Sequence, residues 1–204
     1  AKAGSDLVVV AVAALNEYTC PQIVIDMGTA TTMSVLDQKG SFIGGVILPG
    51  LRTSLDALVS NAAQLSQTSL TAPKKVIGKN TLDCMKGGMI YGNAASIDGM
   101  IERMEEELGC KCTIVATGGL AKAVIPHCRH DIIIDENLLL KGLQIIYEKN
   151  RFVSYQTAWL KYYYPVEFMA ALMTSCIDNP GKVAEYILSS RQMGISILLN
   201  IHHV

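Results

Sequence analysis

The stretch IVIDMGTATTMSVLDQKGSFIGG, from Ile23 to Gly45, decides the fold. Three apolar residues run into Asp26, a glycine and small hydroxyl residues follow, and a second apolar run begins at Thr32 and reaches Asp37. Asp37 to Gly40 reads as a turn, with Gly40 suited to positive φ, and Ser41 to Leu48 as a third strand. Strands joined so closely form a β-meander. The acid, glycine and threonines at the end of the first strand have two readings. One is a hairpin with a hydroxyl-rich turn. The other is a phosphate-handling turn, in which glycine lets the backbone approach an anion, amides and hydroxyls donate to phosphoryl oxygens, and the aspartate holds a cation.

On either side of the meander the pattern is helical. Asp6 to Leu15 reads as a helix. The third strand closes with Leu48-Pro49-Gly50-Leu51, and Leu51 to Ala63 has helical periodicity. Beyond a loop containing Pro73, Ile77 to Gly109 reads as one long helix, with Thr81 at its cap or in its first turn and Gly109 past its end. That helix carries Gly87, Gly88, Gly92 and Gly99. Each costs about 1 kcal/mol relative to alanine when exposed, which implies that something packs closely on that face. Cys112 to Ala121 reads as a strand entering a Gly118-Gly119 turn and a helix, where backbone free of side chains can lie against a nucleotide. Asp131 to Asp135 is a short strand, and Glu136 to Asn150 a closing helix. Alternation of this kind gives an α/β layered domain over residues 1–150.

Composition narrows the class. The 204 residues suffice for one domain, or one domain with an appendage. Half are hydrophobic, yet no run approaches the roughly 20 apolar residues needed to span a bilayer. The N-terminal AKAGSDLVVVAVAAL has the hydropathy of a signal sequence, but it contains Asp6 and shows no initiator Met or small-residue cleavage site behind a basic start, so it reads as a helix beginning mid-protein. A net charge of -1 offers no footprint for nucleic acid. The six cysteines follow no framework spacing and, with nine methionines, point to reduced thiols and a cytoplasmic location. Cys110, Cys112, His127, Cys128 and His130 can be written as a zinc set, but Cys-x-Cys is tighter than zinc spacing and Cys112 opens a strand expected to bury it.

From Arg151 onward the composition changes: residues 151–204 hold the sole Trp and five of the eight Tyr and read as two or three short helices, opened by Pro165 and by Asn179-Pro180. The aromatics could form a base-stacking platform. Four Lys/Arg against three Asp/Glu give that segment no electrostatic footprint, and a packing role is expected.

GSD at 4–6, IVIDMGTATT, GGVILPGL, IGKNT and ATGGLA occur in the order and spacing of the type III pantothenate kinases, with Asp6 20 positions before Asp26 and Thr81 52 after Thr29. Residues 1 to about 150 thus resemble that family. The resemblance implies an actin-like ATPase (ribonuclease H-like) lobe of β-β-β-α-β-α order, here followed by a short all-α appendage. It implies ATP-dependent phosphorylation of pantothenate to 4'-phosphopantothenate, the first step of coenzyme A biosynthesis, with ATP, Mg2+ and a monovalent cation (K+ or NH4+). By the same resemblance, Asp6 is the general base taking a proton from the pantothenate hydroxyl, and Gly4, Ser5 and Leu7 shape the substrate site. Asp26 binds the monovalent cation, Gly28 and Thr29 meet ATP phosphate, Gly118 and Gly119 border the adenosine, and Thr81 reaches pantothenate across a homodimer interface. From the residues alone, Asp6 could equally be a helix N-terminal carboxylate and Thr81 a cap.

Two departures from the family pattern stand out. Leu7 occupies the position of an arginine whose guanidinium would bind the substrate's polar end. The family's first lobe, with its Asp-x-Gly-Asn-Thr phosphate loop, has no counterpart in the sequence, so residues 1–150 are expected to form the C-terminal lobe alone. The segment 151–204 resembles a helical stretch of the bacterial DNA polymerase III alpha subunit without its catalytic aspartates, and past Ile195 it departs from that pattern. The alternative to an active kinase is therefore a catalytically inactive kinase fragment fused to a polymerase fragment. A nucleic-acid-binding module is a third reading, and no membrane partner is expected.

Overall fold

A computed structural model describes residues 4–62 and 64–196, and leaves the side chains of Ser5 and Phe152 undescribed. The chain divides into two compact units, Ala1–Ile146 and Tyr147–Val204.

The first unit is built on one five-stranded sheet. Strands β1 (Gln22–Met27), β2 (Ala30–Leu36) and β3 (Phe42–Pro49) form the antiparallel meander. Strands β4 (Thr113–Thr117) and β5 (Ile133–Ile134) join it parallel to β1, giving the order β3-β2-β1-β4-β5. The turn at Asp37 forms as its residues dictate: the carboxylate accepts from the amides of Lys39 and Ser41, and Gly40 takes φ 76°.

Side chains alternate across β1, and each set meets its own helices. Ile23, Ile25 and Met27 pack with Met33, Ile114 and Ala116 beneath the long helix α3 (Thr81–Leu108), the shorter α2 (Leu51–Asn61) and the one-turn α4 (Ala121–Val124). Val24 packs with Leu36 and Val115 beneath α1 (Ser5–Glu17) and the start of α5 (Leu138–Tyr163). A meander extended by two parallel strands, with helices on both faces, is the actin-like ATPase (ribonuclease H-like) fold.

The start and end of α3 follow local chemistry. Asn80, one residue before Thr81, caps the helix by accepting from the Asp83 amide, so Thr81 is its first residue rather than its cap. Gly109 ends it in the left-handed region at φ 67°. The expectation of close packing along its glycines holds at Gly87 and, through Arg103 of the same helix at 3.2 Å, at Gly99. A Cβ on Gly87 would stand 3.0 Å from the Val76 carbonyl, whereas nothing among the described residues approaches Gly88 or Gly92.

The closing helix does not stop at Asn150. No glycine or proline interrupts residues 143–164, so α5 continues to Tyr163 until Pro165 opens a new helix. In the second unit, α6 (Pro165–Ser175) and α7 (Pro180–Gln192) pack together, and Asn179 caps α7 through the Lys182 amide. The aromatics there do not fill a core as expected. Tyr155, Tyr162 and Tyr163 are exposed, and the Trp159 ring lies 5.1 Å from that of Tyr163. No helix among the described residues is long and apolar enough to cross a membrane.

Candidate active site

Two lengths bring Asp6 and Asp26 together. The 13 residues of α1 rise about 20 Å, and the six of β1 extend about the same distance. The two elements are pinned at one end by Gln22, whose amide donates to the carbonyls of Ala14 (3.1 Å) and Tyr18 (2.6 Å). The N-terminal turn of α1 therefore falls level with the far end of β1, where Asp26 lies on the same sheet face as the helix. Small residues keep α1 close to the sheet, with Ala11, Ala13 and Ala14 buried. Gly142 of α5 keeps it close from behind, since a Cβ there would lie 2.1 Å from the Val9 carbonyl.

The electrostatics record this proximity. Burial raises the pKa of the Asp26 carboxyl, and the negative charge of Asp6 raises it further. No hydrogen bond or ion pair engages the Asp26 carboxylate among the described residues. Asp6 is exposed and curls back over Gly4, where a Cβ would stand 2.5 Å from Asp6 Oδ1. Ser5 lies in the first turn, its side chain outside the described set, and Leu7 is half-buried one residue beyond Asp6.

Around the β1–β2 turn, backbone segments approach too closely for side chains. The Gly28 amide donates to the Ala30 carbonyl at 3.0 Å and closes the turn. Gly50, at the N-cap of α2, lies against it: a Cβ there would be 2.1 Å from the Thr29 carbonyl oxygen. Thr53 of α2 donates its hydroxyl to that same carbonyl at 2.9 Å. From the other side Gly118, at φ 95°, packs on the backbone of Met27, while Gly119 faces open space. The structure thus gathers Gly28, Thr29, Gly118 and Gly119 at the C-terminal ends of the central strands β1 and β4, beside Asp26. Gly28, Thr29 and Gly119 are exposed there.

One feature of the site escapes a linear reading. The strand registers set Thr32 of β2 and Thr117 of β4 directly opposite Asp26, one on each side. Paired residues project from the same face, so three oxygen-bearing side chains form a single rung across β2, β1 and β4. Thr117 is buried, and the Thr32 hydroxyl oxygen is buried without a hydrogen-bond partner among the described residues. Thr53 was likewise silent in sequence, and Gly50 read only as part of the close of β3, because their contacts with Thr29 span 20 or more positions.

Thr81 is not part of this group within one chain. It is exposed at the start of α3, the helix covering the opposite sheet face from α1. The cysteine–histidine set forms no metal cluster among the described residues. Burial pushes the Cys112 thiol up to about 11 and the Cys128 thiol to about 12, and His130 is paired with Asp98 at 2.8 Å. A cavity of about 330 Å³ between β3 and α3 is lined by Val35, Ile43, Val46, Met100 and Arg103 among others, and by none of the candidate residues.

A sheet of this order, with an acid and a glycine–threonine turn at the end of its first strand, defines a lobe of the actin-like ATPase fold. A solved structure described as a Baf family transcriptional activator from Campylobacter jejuni shares the fold, with a TM-score of 0.52 and 21% identity over 72% of this chain and 65% of that one. The chain belongs to the type III pantothenate kinase family, whose sequence model matches residues 1–103. It is 44% identical over 149 residues to the type III pantothenate kinase of Frankia alni, covering 73% of this chain and 60% of the relative. It is also 44% identical to those of Brevibacillus brevis, over 150 residues, and Moorella thermoacetica, over 147; each match covers 72% of this chain and 58% of the relative. The chain thus spans about three-fifths of the length of the curated relatives it matches.

Proposed function

We propose that the chain takes part in ATP-dependent phosphorylation of pantothenate to 4'-phosphopantothenate, the entry reaction of coenzyme A synthesis, in the cytoplasm. The observation that carries this reading is the convergence of Asp6 and Asp26 at the end of β1, in a chain of this family. Asp6, exposed beside Gly4 and Ser5, accepts the proton of the pantothenate primary hydroxyl as its oxygen attacks the γ-phosphorus of ATP. The P–O bond to ADP breaks in line with that attack. Phosphoryl transfer of this kind needs positioning and charge neutralisation more than a strong base, which suits an exposed carboxylate. The Gly28–Thr29 turn lies against the phosphates, and the Gly118–Gly119 turn leaves backbone open to the adenosine.

A monovalent cation fits beside Asp26. The carboxylate there is half-buried, without a cationic partner among the described residues, and flanked by threonine oxygens, which are hard donors. Such an ion supplies positive charge against the phosphates, and Mg2+ arrives on ATP. Thr81 contributes to the pantothenate site of a second copy in a homodimer, which agrees with its exposed place on the face of the sheet opposite Asp26.

The test is ADP release by the purified chain in a coupled assay, with pantothenate and K+ each omitted in turn. Release that requires both supports the reading. ATP binding by calorimetry without pantothenate-dependent release overturns it in favour of the inactive-fragment alternative.

A further inference from the structure

We infer that Thr32 is a ligand of the cation site at Asp26, supplying its side-chain hydroxyl oxygen as a neutral donor. This rests on the cation reading above and goes beyond it.

Two adjacent threonines, Thr31 and Thr32, each bury a hydroxyl oxygen with no protein partner among the described residues. A buried hydroxyl left unpaired costs about 1–3 kcal/mol, so each calls for an account. Strand alternation gives the two opposite surroundings. Thr31 pairs with Met27 and Leu48 and projects toward the core under α3. Thr32 pairs with Asp26 and projects to the face under α1, where its Cβ lies about 5 Å from that of Asp26 by the geometry of directly opposed residues. An ion held between those side chains would meet oxygen from both.

The pairing also sets selectivity. One carboxylate and neutral oxygens carry too little charge to strip water from a small divalent ion, and suit a large, weakly hydrated monovalent ion better. Thr117, buried and opposite Asp26 on the other side, adds a third oxygen-bearing residue to the rung.

The experiment is thermal unfolding of the whole chain in KCl against choline chloride at equal ionic strength, titrated for wild type, Thr32→Val, Thr32→Ser, Thr31→Val and Asp26→Asn. The readout is the K+-dependent rise in Tm, each variant referred to its own choline baseline, so a general loss of stability does not mimic the effect. The expected result is a K+ response in wild type, Thr32→Ser and Thr31→Val, none in Asp26→Asn, and half-saturation at about tenfold higher K+ in Thr32→Val. A full response in Thr32→Val alongside its loss in Asp26→Asn would overturn the role of Thr32 and leave the cation reading standing. Absence of any K+ response in wild type would overturn both.

Discussion

Gly118 packs on the backbone of Met27 so tightly that a Cβ would lie 2.7 Å from Met27 N, C and O, and its φ of 95° is one that L-residues rarely adopt. The contact locks the β4–α4 turn to the end of β1, one residue from Asp26. Gly118→Ala should therefore be destabilising, by roughly 2–4 kcal/mol, from strain and a backbone clash together. Gly119 offers the control, because an added methyl there meets nothing. Gly119→Ala should leave the urea midpoint nearly unchanged and, if adenosine lies against this turn, raise the KM for ATP.

Asp26 gives a pH signature. Its folded-state pKa is raised, first by burial and then by Asp6, so the folded state favours the protonated form. The stability it contributes is fully present below the ordinary carboxylate pKa and is lost as pH rises through the raised folded value. In cation-free buffer at pH 7, Asp26→Asn should thus melt a few degrees above wild type, and the difference should close as the pH falls below the ordinary carboxylate range. A gain in stability coupled to lost activity is the pattern expected of a functional charge held without a partner. An Asp26→Asn melting point equal to wild type at pH 7 would contradict the described surroundings of this carboxylate.

The meander, the place of Thr81 in the first turn of α3 and the Gly40 turn were legible because each depends on neighbours in sequence: short apolar runs separated by turn residues, and a helical pattern that follows Thr81, whereas the cap at Asn80 emerged only in the structure. The proximity of Asp6 and Asp26 was reached only through family resemblance. Its physical cause, matched lengths of α1 and β1 pinned by Gln22, depends on packing. The Thr32–Asp26–Thr117 rung depends on register between strands up to 91 positions apart, which no local pattern encodes. The exposed aromatics of the second unit misled for a related reason. Large apolar side chains imply burial on average, but among the described residues the unit Tyr147–Val204 buries few of its own.

The glycines of α3 bear on the proposed homodimer. Gly88 and Gly92 are one helical turn apart and open within the chain, yet each lowers helix stability by about 1 kcal/mol relative to alanine. A second copy seated there would account for both. Gly92→Leu should then convert a dimer to a monomer in light scattering with the far-UV circular dichroism unchanged. If the face is free in solution, the same substitution should instead raise Tm and leave the mass unaltered.

The thiols distinguish a structural role from metal binding. With their pKa values pushed to about 11 and about 12, Cys112 and Cys128 stay protonated at pH 8 and make poor nucleophiles, and among the described residues no group of three His, Cys, Asp or Glu side chains is placed to hold a metal ion. Native protein treated with iodoacetamide at that pH should label the exposed Cys84 and spare these two, as read by peptide mass. A chelator should not change Tm.

Leu7 permits a gain-of-function test. It follows Asp6 directly in the first turn of α1 and stands where the resemblance to the family implies an arginine. If Asp6 faces the reacting hydroxyl, a side chain one residue on can reach the other end of a short substrate, and leucine offers no donor there. Restoring the guanidinium adds a charge-assisted hydrogen bond, of about 1.5–3 kcal/mol, which acts equally on bound substrate and transition state. Leu7→Arg should therefore lower the KM for pantothenate by roughly tenfold or more while kcat stays the same, the mark of uniform binding. Because Leu7 is only half-buried, the longer side chain can extend outward, and Tm should fall little. A variant that folds normally and shows no change in KM would mean that the polar end of pantothenate lies elsewhere, and that the N-terminal turn of α1 does not shape the substrate site.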